Sequence, residues 1–274
     1  MRSRILRHAL CLLVLGSMGG LDSLSEAAEP KKVLLLGQKP DGHPKATHEY
    51  MAGQQVLARL LAEVKGVEAK VIQADDPWAE GPELLKQADG VVLFVSEGAR
   101  WIQADPRRLD AFTQLAARGG GLSTLHWGMG TKEAAPIEPF VKLFGGCHGG
   151  PDRKYQVLKG AEVRVAEHAI AQGIAPFKTD EEFYYRLKFA PGERPVTPVL
   201  QVPIDGVVET VAWAWDRPDG GRSFGFTGLH FHANWKKPEY RRLMLQGVLW
   251  SLKQEIPKEG IAVDLPDEAF ELKP

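Results

Sequence analysis

Residues 90–128 read GVVLFVSEGARWIQADPRRLDAFTQLAARGGGLSTLHWG. An apolar run, Gly90 to Val95, gives way to polar residues and then to a helical pattern from Pro106 to Arg118 that keeps Leu109, Phe112 and Leu115 on one stripe. A second apolar run, Gly121 to His126, ends in a Trp-Gly turn. Asp105-Pro106 is a helix start signal, a capping carboxylate followed by proline in the first turn. Short Val- and Leu-rich runs of this kind, joined by a helix, read as parallel strands buried on both faces. The stretch is therefore a strand–helix–strand unit.

The same alternation extends upstream. Lys32 to Leu36 is an apolar run stopped by Gly37; Glu49 to Val64 is helical, with Val56, Leu57, Leu60, Leu61 and Val64 on one stripe; Glu68 to Gln73 is a strand and Pro82 to Ala88 a short helix. Repeated alternation predicts a mainly parallel sheet with helices on both faces, an α/β/α three-layer fold. Downstream, the helical stretch Pro136 to Phe144 precedes strands at Glu162 to Ala166, Val196 to Val202, Glu209 to Trp215 and Phe224 to Leu229, the last two joined by a Gly220-Gly221 hairpin. An amphipathic helix, Pro238 to Lys253, closes the chain before a Pro-rich acidic tail over residues 258–274. No internal repeat interrupts this order, so residues 28–257 form one domain.

Composition narrows the function. With 274 residues, 44% hydrophobic and 25% charged, the chain can bury one sizeable core, which excludes disorder and fibrous structure. A formal net charge of −1 without a Lys/Arg run excludes nucleic acid as a partner. Arg2, Arg4 and Arg7, the apolar run Ala9 to Leu15, and Ser25-Glu26-Ala27 have the layout of a secretory signal peptide over residues 1–27, cleaved after Ala27. The mature chain is expected to be secreted or periplasmic, with no membrane association, because no later run approaches the ~20 apolar residues of a spanning helix. Cys11 leaves with the signal, and Cys147 remains as a lone thiol that is either buried or functional.

Ligands of open parallel sheets bind at the carboxyl ends of the strands. The loop after the first strand holds His43 and His48, the loop after the third Ser96, Glu97 and Arg100, and the turn after the fourth begins at His126. His126 occupies the apex of a strand-to-turn elbow where acyl-transfer enzymes carry serine or cysteine, so acid/base or metal chemistry replaces covalent catalysis. His230 and His232 lie two apart and share one face if the chain is extended. Cys147-His148 stands between glycine pairs in an expected exposed turn. In Asp180-Glu181-Glu182-Phe183-Tyr184-Tyr185, Glu182 among aromatics suits general acid/base work, whereas Asp180 and Glu181 read as a solvated turn. His168 reads as a turn-shaping residue. Trp213 and Trp215 read as core, and Trp235, in a loop, as the best aromatic platform for a sugar.

Several of these segments together resemble the trehalose-utilisation, or ThuA-like, family: His48-Glu49-Tyr50, Leu125-His126, His168-Ala-Ile-x-x-Gly173, Asp180-Glu-Glu-Phe-Tyr184, Gly228-Leu-His230, and Arg241-Arg-Leu-Met-Leu-x-Gly247-x-x-Trp250. The resemblance implies a flavodoxin-like scaffold of the class I glutamine amidotransferase type without its catalytic cysteine. It also implies a carbohydrate, including oxidised (keto) sugars, as the small-molecule partner, and zinc or another divalent metal as cofactor; a homo-oligomer is compatible with it. His-Pro, usual in such relatives, is His168-Ala169 here, and Ser96 to Arg100 lacks a histidine. A metal would then rest on His48, His126 and His230, completed by His148, His232 or Glu182. The expected protein is a carbohydrate-active hydrolase, lyase or isomerase using His126 and Glu182, with Tyr184, His232 and Trp235 contacting substrate. The alternative is a non-catalytic carbohydrate-binding domain.

Overall fold

The computed structural model describes residues 29–272. The expected signal peptide, residues 1–27, lies outside them. Among the described residues no helix is long and apolar enough to cross a membrane.

The chain runs β1 (Lys31–Gly37), α1 (Tyr50–Ala62), β2 (Val67–Gln73), α2 (Gly81–Gln87), β3 (Gly90–Leu93), α3 (Gly98–Ala104), α4 (Pro106–Ala117) and β4 (Gly121–Leu125). It continues through β5 (Gly130–Thr131), α5 (Ile137–Phe144), β6 (Gly146–Gly149), β7 (Lys154–Val165), β8 (Phe177–Tyr185) and β9 (Lys188–Phe189). Strands β10 (Thr197–Ile204), β11 (Val207–Asp216) and β12 (Arg222–Phe226) precede the closing α6 (Pro238–Ser251). Strand β1 shows why the layers form. Its alternate side chains Val33 and Leu35 enter one core with α1 and α6, while Leu34 and Leu36 enter a second core with α2, α4 and α5. One sheet between two apolar cores is the three-layer arrangement expected.

The large sheet has the order β2-β1-β3-β4-β12-β11-β10-β7-β8. From β2 to β12 every neighbour is parallel, giving a flavodoxin-like order of five strands; beyond β12 each pairing is antiparallel. Hairpins build that second half. Asp205-Gly206, both at positive φ, make the two-residue turn between β10 and β11.

Start signals behaved as their chemistry requires. The Asp105 carboxylate accepts from the Arg107 backbone N–H at 2.9 Å, capping α4. Helix α3, seven residues long and entered through Glu97 without a side-chain cap, carried no such signal and read as loop. Strand β7 begins at Lys154, eight residues before the expected start, because its first half is exposed and mostly polar and pairs only with β8. The tail packs down. Val263 and Phe270 are buried in the core of α1 and α6, and the Arg241 guanidinium donates to the Val263 carbonyl.

Two turns at the carboxyl edge touch backbone to backbone. A Cβ on Gly98 would lie 2.1 Å from the Gly128 carbonyl oxygen, so only glycine allows the turns after β3 and β4 to close up. That contact helps to fix where His126 sits.

Candidate functional site

Histidines far apart in sequence meet at the carboxyl ends of the parallel strands. His48 comes from the loop after β1, His126 from the turn after β4 and His230 from the chain after β12. The antiparallel half curls back, so that β8, the far edge strand, delivers Glu182 and Tyr184 to the same point.

His126 is wholly buried at φ +46°, a left-handed conformation at the strand end. Its Nδ1 lies 2.7 Å from the Thr227 carbonyl and must donate there, which leaves the Nε2 lone pair facing inward. Burial, then the neighbouring His48 and His230, holds its pKa well below the ordinary imidazole value. His48 is oriented in the same way by a carboxylate. Its Nδ1 meets Asp41 Oδ2 at 3.0 Å, and Asp41 is also hydrogen-bonded by the Tyr50 hydroxyl and by His43 Nδ1, each at 2.6 Å. Burial alone would raise the Asp41 pKa; the hydrogen bonds from His48, Tyr50 and His43 outweigh it and hold Asp41 ionised. His230 is set by its backbone. Glu181 accepts from the N–H groups of Leu229 (2.9 Å) and His230 (3.2 Å), bracing Leu229 at φ +77°. Burial, then His48, lowers the His230 pKa to about 4.

These constraints aim lone pairs at one point. His126 Nε2 lies 3.1 Å from His48 Nε2, 3.3 Å from His230 Nδ1 and 3.9 Å from Glu182 Oε1; His230 Nδ1 and Glu182 Oε1 are 3.5 Å apart. With Nδ1 of His126 engaged by the Thr227 carbonyl and Nδ1 of His48 by Asp41, the two Nε2 atoms are the ring nitrogens that face each other. A tetrahedral ion with bonds of ~2.0–2.1 Å separates its ligands by roughly 3.3–3.4 Å. Three imidazole nitrogens, with a carboxylate oxygen somewhat further out, are a donor set that zinc or a comparable divalent ion would suit. In Asp41→Asn, His48 keeps a hydrogen-bonding neighbour but loses the charge that polarises it. Zinc affinity should drop about 10- to 100-fold in chelator competition, and an unchanged Kd would exclude Asp41 as the orienting group.

Beside the donors lies a cavity of about 230 Å³. Glu182, burial raising its pKa to about 7, and Tyr184 are on its wall, with His48 and His230. His126 is behind the wall. Tyr184 places its hydroxyl 3.0 Å from His126 Nε2, and burial, then the Glu182 charge, keeps that hydroxyl protonated.

Five sequence expectations need correction. His148 reaches the cavity but not the cluster of His48, His126, His230 and Glu182, because the Tyr184 ring is stacked between it and His126, 3.9 Å from one and 4.4 Å from the other. His232 points away: the chain leaves the extended conformation after Phe231, which pairs with Thr47, and the His232 Nε2 bonds the Phe270 carbonyl at 3.1 Å. Trp235, 1% exposed, is core in the 3₁₀ turn that follows, and offers no platform to a sugar. Cys147 lies inside β6, not in an exposed turn; its thiol bonds the Met129 carbonyl, and burial pushes its pKa up to about 12. Glu181, read as solvated, is fully buried, while Asp180 is exposed as expected. His168 shapes its turn by accepting from the Ile170 N–H. Asp41 was missed, and Tyr50 entered only as part of the His48-Glu49-Tyr50 segment without a role, because a carboxylate in a Gly/Pro loop and a tyrosine opening a helix look ordinary without the third dimension.

His148 also makes acid sensitivity predictable. The unfolded chain protonates this imidazole near 6.5; the folded one does so only near 3, first through burial and then through Arg153 and Lys188. Between those values the unfolded state holds more protons, so stability is lost as pH falls from 6.5 towards 3, by up to about 1.4 kcal/mol per unit for this group. Melting of the metal-free protein at pH 7 and pH 5 should differ more for the wild type than for His148→Gln. Equal slopes would remove His148 from the account.

Comparison with known proteins agrees with this architecture. The family described as ThuA, trehalose utilisation, matches residues 32–251. Solved structures of two ThuA-like proteins superpose on the chain. That from Bacteroides uniformis gives a TM-score of 0.63 at 16% identity, over 85% of this chain and 96% of its own. That from Parabacteroides merdae gives 0.57 at 13% identity, over 89% and 100%. Gan42B, a GH42 β-galactosidase, is similar in fold over 83% of this chain but 31% of its own, with a TM-score of 0.53 and 10% identity. No curated protein matches the chain.

Proposed function

Because the chain belongs to the trehalose-utilisation (ThuA) family, we propose that it is an exported enzyme that moves protons on a sugar, most suitably an oxidised (keto) sugar, in the cavity beside the histidine cluster. The observation that carries this reading is the convergence of His48 Nε2, His126 Nε2, His230 Nδ1 and Glu182 Oε1 within 4.8 Å of one another at the mouth of the sheet. His48, His126 and His230 would hold a divalent ion, which when bound supplies Lewis-acid polarisation of a substrate oxygen.

The chain's own residues supply the rest. Glu182 is the carboxylate on the cavity wall, and it takes or returns the proton of a carbon or hydroxyl next to the sugar carbonyl. Tyr184, kept neutral, donates a hydrogen bond to an oxygen that gains charge. His126 is too deeply buried to touch substrate, so its part is to hold the ion, and proton transfer falls to Glu182. A covalent acyl mechanism has no nucleophile here, since the elbow residue is histidine and the Cys147 thiol is buried and protonated. The rival reading, a non-catalytic sugar platform, has lost Trp235, its principal residue, to the core.

Incubating the zinc-replete protein with paired oxidised and unoxidised disaccharides and monosaccharides tests the reading. Turnover confined to oxidised sugars is expected; thermal stabilisation by sugars with no product from any of them would favour the binding module.

A further inference from the structure

The cavity wall is mixed in character. Besides His48, His230 and the Glu182 carboxyl it carries two cations, Lys132 and Arg153. Their proximity follows from the fold. Strands β5 and β6 are parallel neighbours, with Thr131 opposite Gly149, and the Gly150 N–H donates to the Thr131 carbonyl at 3.2 Å, so the segments leaving both strands emerge side by side.

Lys132 shares its one carboxylate with a second cation, and Arg153 has none. Asp152, next to Arg153 in sequence, is taken by Lys188 at 2.8 Å. Glu97 is shared between Lys132 at 3.2 Å and Arg100 at 3.5 Å, one carboxylate for two cations. The Arg153 guanidinium makes a single hydrogen bond, Nη1 to the Gly150 carbonyl at 3.2 Å, and among the described residues no carboxylate lies within ion-pair distance of it. A guanidinium with most of its five donors unused, on the wall of a cavity, is suited to a planar or tetrahedral oxyanion. Tyr155 stands beside it. This tyrosine is 58% exposed, lines the same cavity and lies opposite Tyr184 in the β7–β8 register, so its ring can cover the apolar face of a sugar. A cavity of about 230 Å³ has room for one sugar ring.

We propose that the substrate is a single sugar ring bearing an anionic oxyacid group, a carboxylate or a phosphate, which Arg153 binds with Lys132 alongside while Tyr155 covers the ring. This specificity rests on the proposed reaction centre being a sugar site, and its test separates the two. Calorimetric titration of the zinc-loaded wild type with glucuronate, glucose 6-phosphate and glucose should show at least one anion binding about tenfold or more tightly than glucose, a preference that weakens with added salt. Whichever anion leads identifies the group. Arg153→Gln should remove most of the preference, and Lys132→Ala a smaller share, with zinc content unchanged in both. Equal affinities for glucose and both anions, or a preference retained in Arg153→Gln, would overturn this inference and leave the sugar reading standing. Zinc-replete protein that binds none of the three would overturn this inference, whereas the keto-sugar reading fails only if no oxidised sugar is turned over.

Discussion

Zinc bound at one ion per chain in the wild type should fall to background in His126→Ala. His126 Nε2 is the hub of the donor set, within 3.9 Å of each of the other three donors, and the ring is wholly buried with Nδ1 fixed to a backbone carbonyl. Losing an outer-shell partner costs about 10- to 100-fold in metal affinity. Losing an inner ligand that cannot be replaced by a neighbour should cost more, about 10³-fold, or about 4 kcal/mol. His148 cannot step in, because the Tyr184 ring occupies the space between. The alanine also leaves the Thr227 carbonyl without its donor, which costs about 1–3 kcal/mol of stability, so zinc affinity must be read on protein shown by circular dichroism to be folded. His230→Gln serves as the second variant: it sits on the cavity wall, its backbone clamp to Glu181 does not involve the imidazole, and it should lose zinc at little cost in stability. Metal analysis of protein purified without chelator or histidine tag, followed by zinc competition, makes the measurement. Stoichiometric zinc retained in both variants, or a wild type that binds none at neutral pH, would end the metal proposal.

What made the scaffold legible and the site only partly so is a difference in range. The parallel strands announce themselves locally: Val33 to Leu36 alternates between two cores, and Asp105-Pro106 starts α4 wherever the helix packs. His48, His126 and His230 could be picked because each follows a strand whose carboxyl end the topology places on one edge. The remainder depended on contacts between segments. His232 was misplaced by the assumption that the chain stays extended after β12, and Trp235 by reading an open loop where a buried 3₁₀ turn forms. Glu181 and Glu182 are adjacent in sequence, but strand alternation sends one into the core under Leu229 and the other to the cavity. Nothing in Asp180-Glu-Glu states which carboxylate takes which side until β8 is paired with β7. Asp41 was invisible for the same reason, since its importance comes from His48 and Tyr50 closing around it.

Glu182→Gln should abolish turnover and spare the metal. The substitution keeps the shape of the side chain and removes only its capacity to carry a proton, so a residue that performs general acid/base work should lose about 10²- to 10⁴-fold in kcat, roughly 3–5 kcal/mol on the barrier, with KM within a few-fold of wild type. The position of Glu182 allows a competing role. Its Oε1 lies 3.5 Å from His230 Nδ1 and 3.9 Å from His126 Nε2, close enough to be a fourth ligand. The two roles separate on different axes. A ligand lost to glutamine lowers zinc affinity, and kcat recovers once zinc is saturating. A proton carrier lost to glutamine leaves zinc content intact, and no concentration of metal restores kcat. The longer pair of distances and the open face on the cavity favour the second outcome, because a carboxylate with one oxygen turned to substrate can exchange a proton that a buried ligand cannot. A kcat within about threefold of wild type at saturating zinc would assign the proton transfer to another group, and Tyr184, whose hydroxyl faces the same donors, would be the next residue to change.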